Sequence, residues 1–254
     1  MDQPTQAGSA DRSLKGRLKR LGNAVLDALF PETFVCFGCG AELNGAVLPL
    51  CEACIAALPV RQGEFCPVCG ATVAKKGELC RHCAQQKPHF DSVNAPYFYE
   101  GVSRKAVLSF KDGDQRWLGK YLCKEMVVCY RKSGIEGEAI VSVPSGRKAI
   151  RRRGFDHAEA LGRAVANDLQ LPYYNVLRRV AESVDSTKLD RGGRYAAVFG
   201  AFDVAEGETV KEIAGKKIVL IDDVVTTGAT ADEVAKILKL NGAARVDVLA
   251  FIRR

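Results

Sequence analysis

Four Cys-x-x-Cys pairs fall between Cys36 and Cys83, and they constrain the fold more than any other feature of the chain. The first unit reads Cys36-Phe-Gly-Cys39-Gly40 followed by Cys51-Glu-Ala-Cys54. The second reads Cys66-Pro-Val-Cys69-Gly70 followed by Cys80-Arg-His-Cys83, so the chain carries two copies of one small module. Each knuckle turns two sulfurs toward one point, and glycine relieves the turn. A second pair ten or eleven residues on completes a tetrahedral sulfur set suited to zinc. The expectation is two structural Zn²⁺ held by Cys36, Cys39, Cys51, Cys54 and by Cys66, Cys69, Cys80, Cys83. Four sulfurs leave no open coordination position, so such zinc builds structure and does no catalysis. A disulfide framework or an iron–sulfur cluster is the competing reading, and His82 inside the last pair is an alternative ligand. Cys123 and Cys129 read as core residues.

A module of about 48 residues with few large apolar side chains would hardly fold without metal. The whole chain is different. Its 254 residues are 47% hydrophobic and 26% charged, which excludes wholesale disorder. No run approaches the roughly 18–20 apolar residues of a membrane span, and Met1 to Arg12 lacks an apolar signal core. A cytoplasmic protein without a transmembrane segment is expected, in which thiols stay reduced and favour metal. Eight thiolates would take eight units from the formal charge of +7, and two Zn²⁺ would return four, leaving +3. The basic balance is therefore weak support for a nucleic-acid partner.

Three segments follow: 1–30 as a frayed terminus and amphipathic helix, 31–89 as the double module, and 90–254 as an α/β domain. Leu14, Leu18, Leu21, Val25 and Leu29 share one helical face after Ser13, with Arg17, Lys19 and Arg20 on the other. Beyond Phe90 the pattern alternates. Strands are expected over 93–99, 139–143, 176–180, 217–221 and 246–252, and helices over 104–110, 116–131, 156–169 and 229–240. Residues 182–202 read as a long loop with some helix. Alternating strands and helices imply a mostly parallel sheet flanked by helices.

The sharpest chemical signal is Val219-Leu-Ile-Asp222-Asp223-Val-Val-Thr226-Thr227-Gly228-Ala229-Thr230. A buried strand delivers two acids to its C-terminal end, where open α/β sheets bind ligands. A small-residue turn then opens a helix, whose N–H groups make an anion pocket. Carboxylates beside a phosphate pocket suit a ligand that also offers hydroxyls or a metal, such as a phosphorylated sugar. Arg147, Lys148, Arg151, Arg152 and Arg153 gather near another strand end, as a pyrophosphate would require, and Arg147 is the one expected to touch it.

Residues 222–230 resemble the phosphoribosyl pyrophosphate (PRPP) signature of type I phosphoribosyltransferases. With the eight-cysteine module, Phe110-Lys111, Val143-Pro144 and Arg153-Gly154-Phe155, the chain resembles the ComF family of competence-associated phosphoribosyltransferase-like proteins. The resemblance implies a type I phosphoribosyltransferase-like sheet preceded by a double zinc ribbon. It implies that Asp222 and Asp223 bond the ribose hydroxyls and serve catalysis. Thr226, Thr227, Gly228, Ala229 and Thr230 would wrap the 5′-phosphate, and Ser145, Gly146 and Arg147 would form the pyrophosphate loop with Mg²⁺. Residues 182–202 would supply a closing hood. Asp156-His157 departs from the family's usual Asn-Gln, as do Ser186 and Ala196-Ala197 from its hood.

Two functions follow from the resemblance. One is transfer of phosphoribose from PRPP to an unidentified acceptor. The other is a catalytically weak PRPP-binding protein, or an adaptor whose zinc ribbons meet single-stranded DNA or a DNA-uptake helicase. Oligomeric state is not legible. Elemental analysis of purified protein is expected to return about two zinc per chain, and Cys51→Ser should lower it to about one.

Overall fold

The computed structural model describes residues 35–43, 49–112, 115–181, 189–205 and 208–254. The helix expected over 14–29 and Ser186 lie outside them. Two aliphatic strands form the centre: β6 (Lys217–Val225) and β7 (Arg245–Arg253), parallel and registered from Lys217 on Arg245 to Val225 on Arg253. Outside β6 lies β3 (Ala139–Ser142), and beyond β7 lie β1 (Ser92–Asn94) and β2 (Tyr97–Phe98), all parallel. The single strand expected over 93–99 is thus two. Pro96 has no N–H to give a ladder, and the carbonyls of Ala95 and Pro96 accept instead from the Arg61 side chain and backbone.

Alternate residues of these strands feed two cores. Val219, Ile221, Leu249 and Phe251 pack with α3 (Gly101–Asp112), α4 (Leu118–Ser133) and α6 (His157–Leu169). Ile218, Leu220, Val246 and Val248 pack under α8 (Ala229–Leu240) and a 3₁₀ turn, Glu208–Ile213. A separate antiparallel pair, β4 (Leu177–Arg179) and β5 (Phe202–Val204), closes this second side. Strands buried on both faces read as continuous aliphatic runs, which is why the sequence reveals β6 and β7. Burying each such side chain contributes about 1.5–3 kcal/mol.

The cysteine modules are built into these cores. Short helices α1 (Glu52–Ala56) and α2 (Arg81–Gln85) follow the third cysteine of each set. Cys36, Phe37, Leu50 and Cys54 join the α4 side, where the Phe37 ring centroid is 5.5 Å from that of Tyr121. Cys66, Cys69 and Cys83 join the α8 side. The two repeats therefore serve opposite faces of one sheet.

Two boundaries differ from expectation. β6 runs on to Val225, so both acids lie within the strand. Arg147 opens a helix, α5 (Arg147–Arg153), where a turn was expected. Within 182–202, helix α7 (Arg191–Val198) is capped by Asp190, which accepts from Gly193 N at 2.8 Å.

Helix α6 touches β3 at Gly162, where an added Cβ would lie 2.0 Å from Ser142 Oγ and 2.9 Å from the Tyr173 ring. Gly162→Ala should lower the urea midpoint by an amount equivalent to about 1–3 kcal/mol, the usual range for overpacking.

Candidate functional site

The C-terminal ends of β3 and β6 lie side by side, with Val143 N donating to Ile221 O at 3.0 Å. Beyond them opens a cleft of about 460 Å³. Ser145, Gly146, Asp222, Asp223, Thr226 and Thr230 all line it, so turns far apart in sequence share one wall. The Ser145 turn is tied down from α6. Asp156 caps that helix by accepting from Ala158 N at 2.9 Å, and it also accepts from Ser145 Oγ at 2.8 Å.

Consecutive residues of a strand face opposite ways, and the two acids meet different surroundings. Asp223 is 3% exposed. Lys111 Nζ, from α3, lies 2.6 Å from its Oδ1, and His157 Nε2, from α6, lies 3.1 Å from Oδ2. On the other side of the ring, Arg153 Nη1 lies 3.0 Å from His157 Nδ1. Burial works against the carboxylate, but Lys111 and His157 outweigh it and hold Asp223 well below the usual range. Lys111 is raised in return despite its own burial.

Among the described residues no cation pairs with Asp222 alone. Burial, then the charge of Asp223, pushes it up to about 7, although Lys111 and the Asp223 N–H at 2.9 Å partly oppose this.

Helix α8 starts at Ala229 behind Gly228, whose φ of 86° is left-handed. Its N-cap, Gly228, has no side chain to offer, so its first N–H groups face the turn. Thr227 Oγ1 accepts from Ala229 N at 3.3 Å, and Thr227 O accepts from Arg191 on α7 at 3.2 Å. An uncapped helix start beside two threonine hydroxyls suits a phosphate.

Arg147 takes a different place. At the start of α5 it lines a neighbouring cleft of about 340 Å³ with Ser145, Glu159 and Tyr173, whereas Ser145 lines both clefts. The bases lining the main cleft are Lys111, Arg153, Arg179, Arg194 and Arg254.

The cysteines also converge. Within each set the sulfurs lie within 4.8 Å of one another, with Cys39 to Cys51 at 3.6 Å and Cys69 to Cys80 at 3.4 Å. A tetrahedron with bonds of about 2.3 Å separates sulfurs by about 3.8 Å, so the sets fit Zn²⁺. All ten cysteines are free thiols, and the His82 ring lies by Tyr195, 6.1 Å between centroids. Burial and the neighbouring sulfurs push Cys54 up to about 12. Against the effect of burial, backbone N–H groups of Cys51, Cys39 and Gly38 bring Cys36 down to about 6. Four thiolates this close need a cation.

Comparison with known proteins gives the same two parts. A double zinc ribbon domain matches residues 25–86, and a phosphoribosyl transferase domain matches residues 149–254. Competence protein F of Haemophilus influenzae is 26% identical over 87% of this chain and 97% of its own. The DNA utilization protein YhgH of Salmonella typhimurium is 28% identical over 86% and 96%. Over most of its length the chain is similar to competence and DNA utilization proteins, and it combines a double zinc ribbon with a phosphoribosyl transferase domain. Among solved structures, adenine phosphoribosyltransferase from Leishmania donovani is 18% identical with a TM-score of 0.35, covering 57% of this chain and 56% of that one. The allosteric regulatory enzyme of purine biosynthesis is 19% identical with a TM-score of 0.36, and the match covers 52% of this chain and a 25% share of that one.

The two cysteine sets expected from the sequence converge, and Asp222, Asp223, Thr226 and Thr230 line one cleft. Sequence reading missed Lys111 and His157 as partners of Asp223. A signal for His157 existed, since it stands at a departure from the family pattern beside Arg153.

The two acids give opposite linkages. The contribution of Asp223 is present above about pH 4 and is lost as pH falls through its depressed value. Asp222 costs stability as pH rises from about 4 through 7, because its raised value favours the proton in the folded state. Asp222→Asn should therefore raise the Tm of ligand-free protein at pH 8 and change it little at pH 5, measured by calorimetry at both values.

Proposed function

We propose that this cleft binds PRPP with Mg²⁺ and that the protein transfers phosphoribose to an acceptor in competence or DNA utilization, for which its relatives are named. One observation carries the reading: the Ser145 turn, Asp222 with Asp223, and the uncapped start of α8 line or adjoin one cleft. Each offers what one part of PRPP requires. The α8 start and Thr226 to Thr230 would take the 5′-phosphate. Asp222 and Asp223 would accept from the ribose hydroxyls. Ser145 and Gly146 would hold the pyrophosphate, with Arg153, Arg179 and Arg194 supplying the charge assigned in sequence to Arg147.

Mg²⁺ bound with the substrate would neutralise the departing pyrophosphate. The bond from C1′ to the pyrophosphate oxygen breaks with its electron pair, leaving positive charge on the ribose ring. An acceptor lone pair then forms the new bond to C1′, and the acceptor gives up a proton. No protein nucleophile takes part. The chain's work is to align the two reactants and place charge where it develops. Asp222 fits that role, because a site that raises its pKa in the ligand-free protein rewards arrival of a cation and hydroxyl donors.

A DNA-stacking role for the ribbons is less well supported. Phe37 is buried against Trp117 and Tyr121, and Phe65 lies under Arg61, 4.0 Å from guanidinium carbon to ring centroid. Neither ring is open for a base.

Calorimetry with Mg-PRPP tests the reading. Asp222→Asn and Asp223→Asn should each lose about 1.5–3 kcal/mol of binding, roughly ten- to a hundredfold. Pyrophosphate release across a panel of nucleobases and amines should appear with a narrow set of acceptors and vanish in Asp222→Asn. Normal binding by the double variant would overturn the assignment. Tight single-stranded DNA binding that survives Asp222→Asn, and is lost when 31–89 are removed, would favour the adaptor.

A further inference from the structure

The second cysteine module and the phosphate turn share a buried guanidinium. Arg253 ends β7 and is 4% exposed. Its Nε donates to Cys69 O at 2.8 Å. Its Nη1 donates to Val225 O at 3.4 Å and to the carbonyls of Thr226 and Arg254. These partners are backbone carbonyls, and the planar fork fixes them relative to one another. One side chain thus joins the knuckle of Cys66 and Cys69 to the first residues of the phosphate turn.

Three further contacts run the same way. Beyond Cys83, His89 N donates to Asp232 in the first turn of α8 at 2.5 Å, and His89 Nδ1 lies 3.0 Å from the same oxygen. Phe90 covers Gly228, where an added Cβ would lie 3.4 Å from its ring. His82 packs toward Tyr195 on α7, the helix whose Arg191 holds Thr227 O. The first module has different neighbours. Phe37 packs on Trp117 and Tyr121, and Lys105 Nζ donates to Gly38 O at 2.7 Å, all on the other face of the sheet.

Charge follows the same division. A Zn²⁺ with four thiolates carries −2. Arg61 donates to Gly70 O beside the second set, and burial together with the charge of Arg253 lowers it to about 10. Two guanidiniums are therefore sequestered next to this one tetrathiolate site.

We propose that Arg253 is a positioning residue that makes the second cysteine site, and not the first, part of the phosphate site, so that an intact second knuckle sets the turn 225–230 for its ligand. This rests on the assignment of that turn to the 5′-phosphate of PRPP.

The test compares full-length Cys51→Ser, Cys80→Ser, Arg253→Lys and the double variant Cys80→Ser/Arg253→Lys. Zinc content should be about one per chain in each cysteine variant and about two in Arg253→Lys. Mg-PRPP affinity by calorimetry should fall about tenfold in Cys80→Ser and Arg253→Lys and stay within about twofold in Cys51→Ser. The double variant should be no worse than the weaker single one, because both act through one linkage. Amide exchange at 225–231 needs no ligand. It should quicken in Cys80→Ser and Arg253→Lys while β3 and α4 keep their protection. If unaltered protein fails to bind PRPP yet the exchange pattern appears, the coupling stands and the ligand assignment falls. Equal effects of Cys51→Ser and Cys80→Ser on exchange at 225–231, or unchanged exchange in Arg253→Lys, would overturn the proposal. Should Cys80→Ser fail to fold, Arg253→Lys alone decides, since it leaves both thiolate sets intact.

Discussion

Parallel pairing of β6 on β7 is the interaction on which the rest depends. It buries aliphatic side chains on both faces at once, so α3, α4 and α6 on one side and α8 on the other dock on the same two strands. Its register also puts chemistry in place. With Val225 opposite Arg253, the acids, the turn 226–230 and the buried guanidinium arrive together at one end of the sheet. Neither strand could shift without moving both a core and the site.

That end of the sheet concentrates charge in an unfavourable way. Asp223 is compensated by Lys111 and His157, while Asp222 bears burial and the neighbouring charge with only partial relief. A carboxyl held near neutrality in the ligand-free protein is a local defect by the standards of folding. Such a defect is understandable where a ligand brings the compensation, and it separates what stabilises this fold from what the cleft is shaped to bind.

The cysteine modules illustrate the opposite economy. Each is too poor in large apolar residues to hold itself, and each lends its buried cysteines to a core of the larger domain. Tandem repeats suggest equivalent units, yet one lies against α4 and the other against the turn before α8. Repetition in sequence has become division of labour because a sheet has two faces.

Local spacing determined much of this protein by itself. Two sulfurs three residues apart converge wherever the chain goes, so Cys36 to Cys83 announced two metal sites. A buried strand, two acids and Thr-Thr-Gly-x-Thr follow one another without a break, so residues 222–230 announced the wall of a cleft. Continuous aliphatic runs announced β6 and β7. Only tertiary structure decided which charges face that turn. Lys111, His157, Arg194 and Arg253 come from four separate elements, and no periodicity links them. Arg147 shows the converse: close in sequence to the Ser145 turn, it is carried into the next cleft by the first turn of α5. Local motifs survive in sequence because bonded geometry enforces them, whereas a charge's partner is set by how sheet and helices pack, which no single segment encodes.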